Sequence, residues 1–419
     1  MDRKCSSKAL GVVLGCCVLF GNVLQAQQAR TTGPLLTPGM MGMQEAVPAD
    51  MADEDASGLA GFLKGIEGAG FINAAYSYNL NDSERSTSPG PETPLRIMDT
   101  FHNEFTVHQV ALYLEKAVDD DNLVGFEFTP MVGKDAIVSS DDSSFNFNNN
   151  DIDIWAANVK MYIPDDIAVL GGTELKFGKF ETIIGAEVLA TPYNTMFSRT
   201  LLFGLGTPRV HTGGLATKTL VSKDDGSSLL DFKLAMTNGW GAHNVGSQNN
   251  GGNFPNWIVG ATLAPGDMFD LTANYSVGEI SAAGQYRTLV DLVGNVTIGD
   301  LGINLNFDWA EDQAGNPSTG GYGAYWGTAG IIRYDFAMTS SKKNWYIAGR
   351  GEYYDDMDGV TIQGDGIKIY DLSGAIGYQP FESLLLRTEA RFDKADQDVY
   401  ESGSSNNQTT LSFDASYLF

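Results

Sequence analysis

From Gly68 to Phe419 apolar and polar residues alternate in segment after segment, and this period of two is what most constrains the fold. In LGINLNFDWAED, Leu301, Ile303, Leu305, Phe307 and Trp309 share one face, and Gly302, Asn304, Asn306 and Asp308 the other. SLLLRTEARFD sets Leu384, Leu386, Thr388, Ala390 and Phe392 against Leu385, Arg387, Glu389, Arg391 and Asp393. IYDLSGAIGYQ, FDLTANYSV and LLDFKLAM repeat the pattern, and helical spacing accounts for none of them. Successive side chains of a strand point to opposite faces, so each segment reads as a strand with one apolar and one polar side. The chain is all-β.

Alternation alone does not distinguish a water-soluble sandwich from a barrel whose apolar face meets lipid. The connections do. Sixteen strands are expected between 68–80 and 409–419, within a range of 14–18. Connections after odd strands are long, as in SERSTSPGPETPLRIMD and GKDAIVSSDDSSFNFNNN, whereas those after even strands are mostly short, as in KDDGS, APGD and TSSKK. A transmembrane antiparallel β-barrel has such long loops on one rim and short turns on the other. Trp155, Trp240, Trp257, Trp309, Trp326 and Trp345 fall near strand ends, where interfacial girdles belong. No stretch reaches the roughly 18 apolar residues of a membrane helix. The expected architecture is a closed barrel with a water-filled lumen, because about 16 strands leave more room than side chains fill.

The first residues have a different character. Arg3, Lys4 and Lys8 precede an apolar run, and Ala26 in VLQAQQA offers a cleavage point, so residues 1–26 read as a signal peptide. Residues 27–67 read as a flexible periplasmic segment. Its Met40, Met41 and Met43 suit soft copper, but an unstructured exported tail is the plainer reading. All three cysteines (Cys5, Cys16 and Cys17) lie in the leader, which leaves no thiol for catalysis or zinc in the remainder.

The chain carries 26 Lys+Arg against 52 Asp+Glu, a net charge of −26. Nucleic acid is therefore excluded as a partner, since affinity for it comes from basic groups neutralising phosphates. On the well-phased strands the inward set holds Asp231, Asp270, Asp291, Asp308, Asp335, Glu352, Asp371, Glu389 and Asp393 against Lys233, Arg333, Arg350, Arg387 and Arg391. Nine acids against five bases predict a mild preference for cations.

The third long connection, about 185–208, is too apolar for a loop in water (IIGAEVLATPYNTMFSRTLLFGLGTP), so it is expected to fold into the lumen. KFGKFETIIGAEV and TPYNTMFSRTLLFGLGTPRVHTGG, with GFINAAYSYNLN, FTVHQVALYLEKA and DIDIWAANVKMYI upstream, resemble the OmpL-like β-barrel porins. The resemblance covers most of 68–419 and is strongest over 170–240. It implies an outer-membrane channel for passive diffusion of small hydrophilic solutes in a Gram-negative cell. A substrate-specific channel and a plugged surface barrel with an adhesin or structural role are the alternatives. In general porins the third loop narrows the pore, which would place Glu181, Glu187, Arg199 and Arg209 at a constriction. An anchoring salt bridge within the loop explains Arg199 or Glu187 equally well.

The final strand, LSFDASYLF, places Leu411, Phe413, Ala415, Tyr417 and Phe419 on one face. Phe413, Tyr417 and Phe419 resemble the signal that the barrel assembly machinery reads. Membrane lipids and lipopolysaccharide are the other expected partners, and a homotrimer or a monomer is compatible with the sequence. No cofactor and no catalytic site are expected. His102, His108, His211 and His243 show neither HExxH nor paired metal spacing, and no GxSxG elbow is present. Asp141 to Asp153 is rich in oxygen ligands suited to calcium but lacks EF-hand spacing.

Overall fold

The computed structural model describes residues 44–45, 65–81, 93–136, 151–240, 254–280, 284–316, 318–338, 343–362 and 364–419. The leader, the methionine cluster, His243 and residues 141–150 of the acidic stretch lie outside them.

Each of the sixteen expected segments is a strand. The first eight are β1 (Glu67–Asn79), β2 (Glu104–Lys116), β3 (Val124–Val132), β4 (Ile152–Ile163), β5 (Thr173–Glu181), β6 (Val210–Ser222), β7 (Ser228–Thr237) and β8 (Asn256–Gly266). The rest are β9 (Phe269–Glu279), β10 (Tyr286–Ile298), β11 (Leu301–Asp312), β12 (Gly323–Phe336), β13 (Trp345–Asp356), β14 (Ile367–Phe381), β15 (Leu384–Ala395) and β16 (Asn407–Leu418). Every strand pairs antiparallel with its sequence neighbours, and β16 pairs with β1 from Thr410↔Asn79 to Leu418↔Phe71. Phe419 completes the seam: its carbonyl accepts from Gly70 N–H at 2.7 Å and its own N–H donates to Gly70 O at 2.9 Å. Hydrocarbon offers backbone groups no partners, so closure is what allows the sheet to span a membrane.

The faces follow the sequence alternation. Outward residues such as Ile72, Phe177, Leu305, Ile332, Ile347, Leu372, Ile376 and Phe413 are exposed, whereas the inward polar set is buried. That inversion of the usual soluble pattern is the barrel's lipid face. Aromatics ring both ends of this face. Trp326 packs against Tyr353, and Tyr353 against Tyr370, each at 5.0 Å between centroids near the long-loop rim. Trp345 stacks on Tyr378 at 4.1 Å near the short-turn rim. Two tryptophans depart from the girdle reading. Trp155 is fully buried inside the barrel, and Trp240 lies past β7 with Arg287 over its ring at 4.9 Å.

Register shifts occur in five of the strand pairings, and two of them fall among the first strands, where His108 on β2 is skipped opposite Asn73/Ala74 and Trp155 on β4 opposite Thr129/Pro130. Each admits an unpaired residue and re-aims the strand beyond it, and Pro130 stands beside the second, where the ladder is already interrupted.

Candidate functional site: the lumen loop and the charged wall

Residues 182–209, between β5 and β6, cross the lumen. Near their start, the Ile183 carbonyl accepts from Asn274 Nδ2 on β9 at 3.0 Å, and Ala186 N–H donates to Asn306 Oδ1 on β11 at 3.2 Å. The chain then reaches β2, where Gln109 donates to Leu189 O at 3.0 Å and accepts from Thr191 N–H at 2.9 Å. Along β13 to β15 it meets a row of charges. Arg387 donates to Asn194 O at 2.6 Å and Arg350 to Ser198 O at 2.8 Å. Glu389 Oε2 accepts from Phe197 and Ser198 N–H at 2.7 and 3.1 Å, and Glu352 from Leu201 and Leu202 N–H, both at 2.8 Å. Tyr346 and Tyr325 donate to Thr195 O and Gly206 O at 2.9 and 2.7 Å. Backbone groups removed from bulk water need partners, and here inward side chains of the wall supply them.

The loop's apolar residues explain the rest of its path. Ile183, Ile184, Leu201 and Leu202 pack in one cluster with inward-facing Leu215, Ala235, Ile258 and Leu289. Leu189, Tyr193 and Phe203 join Phe71, Met131 and Trp155 in a second. Phe71 lies 6.0 Å from Tyr193 and 6.4 Å from Trp155 between ring centroids. Burial and the nearby charge of Glu181 hold the Tyr193 phenol well above its ordinary pKa. The described end of the first long connection, residues 93–103, also turns inward, which the sequence reading did not anticipate. Arg96 binds Asp393 at 2.6 Å and also pairs with Asp99, Gln408 donates to Pro94 O at 3.1 Å, and Met98 enters the second cluster. The signal was present in PLRIM, the apolar end of an otherwise polar, proline-rich stretch.

All fourteen lumen-lining candidates lie on the inward face. Asp335 pairs with Arg333 at 2.7 Å and Asp371 with Arg350 at 2.9 Å; Arg391 binds Asp371 and Asp393 at 2.5 and 2.8 Å. Arg387 binds Asp414 of β16 at 2.8 Å. Asp231 accepts from Thr219 at 2.8 Å, and Asp270 from Asn295 at 2.5 Å. Lys233 is buried on β7, and Asp291 and Asp308 sit opposite one another on β10 and β11. A further inward set on β2 to β5 was missed, because the bulges shift the phase there. Lys160 pairs with Glu115 and Glu174, Lys176 with Glu127 at 3.0 Å, and Lys179 with Asp153 at 3.0 Å.

The four constriction candidates do not converge. Arg199 turns back into the loop and donates to the carbonyls of Phe197, Leu189 and Val188 at 2.8, 2.9 and 3.2 Å. Glu187 Oε2 accepts from Thr200 N–H and Oγ1, both at 2.7 Å, and its other oxygen lies 3.9 Å from Arg350. At 2 % and 6 % exposed, these two hold the loop together instead of facing a passing solute. Glu181 and Arg209 are half-buried at the loop's base. Arg209 lines a 220 Å³ cavity at the long-loop mouth, together with Trp240, Arg287, Val360 and Thr361.

The three described histidines have structural partners. His108 contacts Asp135 at 2.8 Å, His211 contacts Thr182 at 2.9 Å, and His102 accepts from Asn79 N–H at 2.8 Å. Among the described residues no three His, Cys, Asp or Glu side chains converge as a metal cage.

The barrel is similar to solved outer-membrane proteins. An anion-selective porin of Comamonas acidovorans superposes with a TM-score of 0.56 at 9% identity, covering 84% of this chain and 99% of that one. OprB of Pseudomonas putida gives 0.53 at 11% identity, covering 85% and 94%. OmpT of Vibrio cholerae, in a trimer form, gives 0.51 at 12% identity, covering 84% and 99%. At such identities the likeness establishes the fold alone. No curated protein matches the chain. The family model described as "Putative beta-barrel porin-2, OmpL-like" matches residues 65–419, nearly the whole described barrel, and the chain belongs to that family of outer-membrane porins.

Proposed function

We propose that this porin passes small hydrophilic solutes by passive diffusion, prefers cations and performs no catalysis. The observation that carries the reading is a closed ring with a charged inner wall, its lumen crossed by a loop bonded to that wall. Selectivity in such a lumen comes from wall charge and pore width. The set on β2 to β5 adds Glu115, Glu127, Asp153 and Glu174 against Lys160, Lys176 and Lys179, so acids keep their excess. Residues 1–26 act as a signal peptide and 27–67 as a periplasmic segment, while 68–419 form the channel. Phe413, Tyr417 and Phe419 face lipid on the closing strand, the position from which the assembly machinery would read them. A homotrimer in lipopolysaccharide-bearing membrane fits the trimer form of the V. cholerae protein.

One observation favours a second reading, a barrel plugged at rest. Ile183, Ile184, Leu201 and Leu202 meet inward apolar wall residues, where a wet channel would have polar ones. Reversal-potential measurements on refolded protein in a planar bilayer decide between the two. Stepwise openings with a cation-leaning reversal potential support the diffusion channel, and a silent bilayer from correctly folded barrel supports the plug.

A further inference from the structure

The charged wall of the lumen divides into two parts that water reaches unequally. On β13 to β16 the charges lie against the crossing loop. The side chains of Arg350, Arg387, Arg391, Asp371, Asp393 and Asp414 are 0–1 % exposed there, and each is held in an ion pair. Glu352 and Glu389 are buried too, with loop amides on their oxygens, and Asp291 and Asp308 are fully buried on β10 and β11. These acids are answered by guanidinium or amide donors and are covered, so little of their charge reaches a passing ion.

The wall on β1 to β5 is different. Cross-strand register sets Glu67, Glu115 and Glu127 in one row on β1, β2 and β3, and Lys160 beside Lys176 on β4 and β5. Lys176 is in turn opposite inward-facing Leu215, and Glu174 stands two residues before it on the same face. Lys160 pairs with Glu115 and lies 3.7 Å from Glu174, and Lys176 pairs with Glu127 at 3.0 Å. The carboxylates are the accessible members. Glu115, Glu127 and Glu174 are 25, 22 and 32 % exposed at the side chain, against 6 % and 14 % for Lys160 and Lys176. Glu67 is exposed at the rim. Four carboxylates against two ammoniums leave this wall negative, and like charges directly opposite one another repel. Such a row favours a mobile cation nearby and disfavours an anion.

We infer that Glu115, Glu127 and Glu174, with Glu67 at the rim, set the channel's preference for cations, and that this filter lies at the short-turn end of the lumen and not at the loop crossing. Glu115 stands well past Gln109, the loop's anchor on β2, by about 20 Å along the strand at roughly 3.3 Å per residue. Accessible charge of one sign between low-dielectric walls raises the local concentration of counter-ions. That field reaches about 10 Å at 0.1 M salt and only about 3 Å at 1 M, so the preference should weaken as salt rises. The inference rests on the diffusion-channel reading and names the residues that give it its selectivity.

The potassium-to-chloride permeability ratio, taken from reversal potentials of the refolded full chain, tests it. Glu115→Gln, Glu127→Gln and Glu174→Gln should each lower the ratio, and the three together should lower it by about twofold or more. Asp308→Asn, which removes an equal charge from the buried wall, should move it far less. Every cysteine of the chain lies in residues 1–26, so with those three changed to serine Glu174→Cys offers a single thiol. A negatively charged methanethiosulfonate should then restore the ratio, and a positively charged one should lower it further. Heat-shifted gel mobility identifies folded barrel for every variant. Glu174 is the most exposed of the three and the most loosely paired, so its variants carry the test if the others misfold. Folded, conducting variants with an unchanged ratio would overturn the inference and leave the channel reading standing. Asp308→Asn shifting the ratio as far as Glu174→Gln would do the same. A folded wild-type barrel that never conducts would remove the channel reading and this inference with it.

Discussion

Glu389 carries the most concentrated part of the loop's attachment, and removing its carboxylate should release the loop while leaving the barrel closed. Its Oε2 accepts two backbone N–H groups, from Phe197 and Ser198, and its Oε1 accepts from Ser198 Oγ. The side chain is 2 % exposed, so water does not readily replace it. In Glu389→Ala each orphaned buried donor costs about 1–3 kcal/mol. Taking the two amides at the low-to-middle part of that range, docking weakens by about 3 kcal/mol, roughly a hundredfold in the undocked population. The loop contains its own reporter, because trypsin cuts after Arg199 only when that buried residue comes free. When opening and reclosing are fast relative to cleavage, the cutting rate tracks the open population. Cleavage after Arg199, followed by mass spectrometry on folded barrel, should therefore accelerate roughly a hundredfold. The β16–β1 seam is held by its own backbone ladder, so the barrel should keep its heat-shifted mobility. Unchanged cleavage in a folded variant would refute the docking argument.

Three further outcomes follow from named contacts. Arg199→Glu should leave ion selectivity unchanged and destabilise the loop, since its guanidinium binds loop carbonyls; a shifted reversal potential without faster proteolysis would restore a pore-facing role. Deleting Phe419 removes both hydrogen bonds to Gly70, so assembly yield should fall while surviving channels conduct normally; normal yield would sink the seam reading. Gly377 lies opposite Tyr346, and a Cβ there would sit 1.9 Å from the ring. Gly377→Ala should push Tyr346 off Thr195 O and destabilise by about 1–3 kcal/mol in chemical unfolding.

The strands were legible because a period of two repeated sixteen times leaves little choice of architecture. The lipid and lumen faces were legible on β7 to β16 for the same reason. They were not legible on β2 to β5, where the bulges near His108 and Thr129 change phase and hide Lys160, Lys176 and Lys179. The apolar third loop announced that it packs against something, but alternation names a face and never a partner. That Glu389 and Glu352 would cap its amides, and Arg350 and Arg387 its carbonyls, depends on contacts about 150 to 190 residues apart in sequence. Arg199 was ambiguous between constriction and anchor for a physical reason: a charged residue inside an apolar loop needs partners in either role. Its geometry is that of an anchor.

The central claim is that a closed, acid-rich lumen crossed by a docked loop conducts small cations. Single-channel recording of the refolded protein under a potassium chloride gradient tests it most directly. Small, discrete openings with a reversal potential displaced toward the potassium equilibrium value are expected. A barrel that is folded by heat-shifted mobility yet silent, or one that reverses toward chloride, would contradict the account.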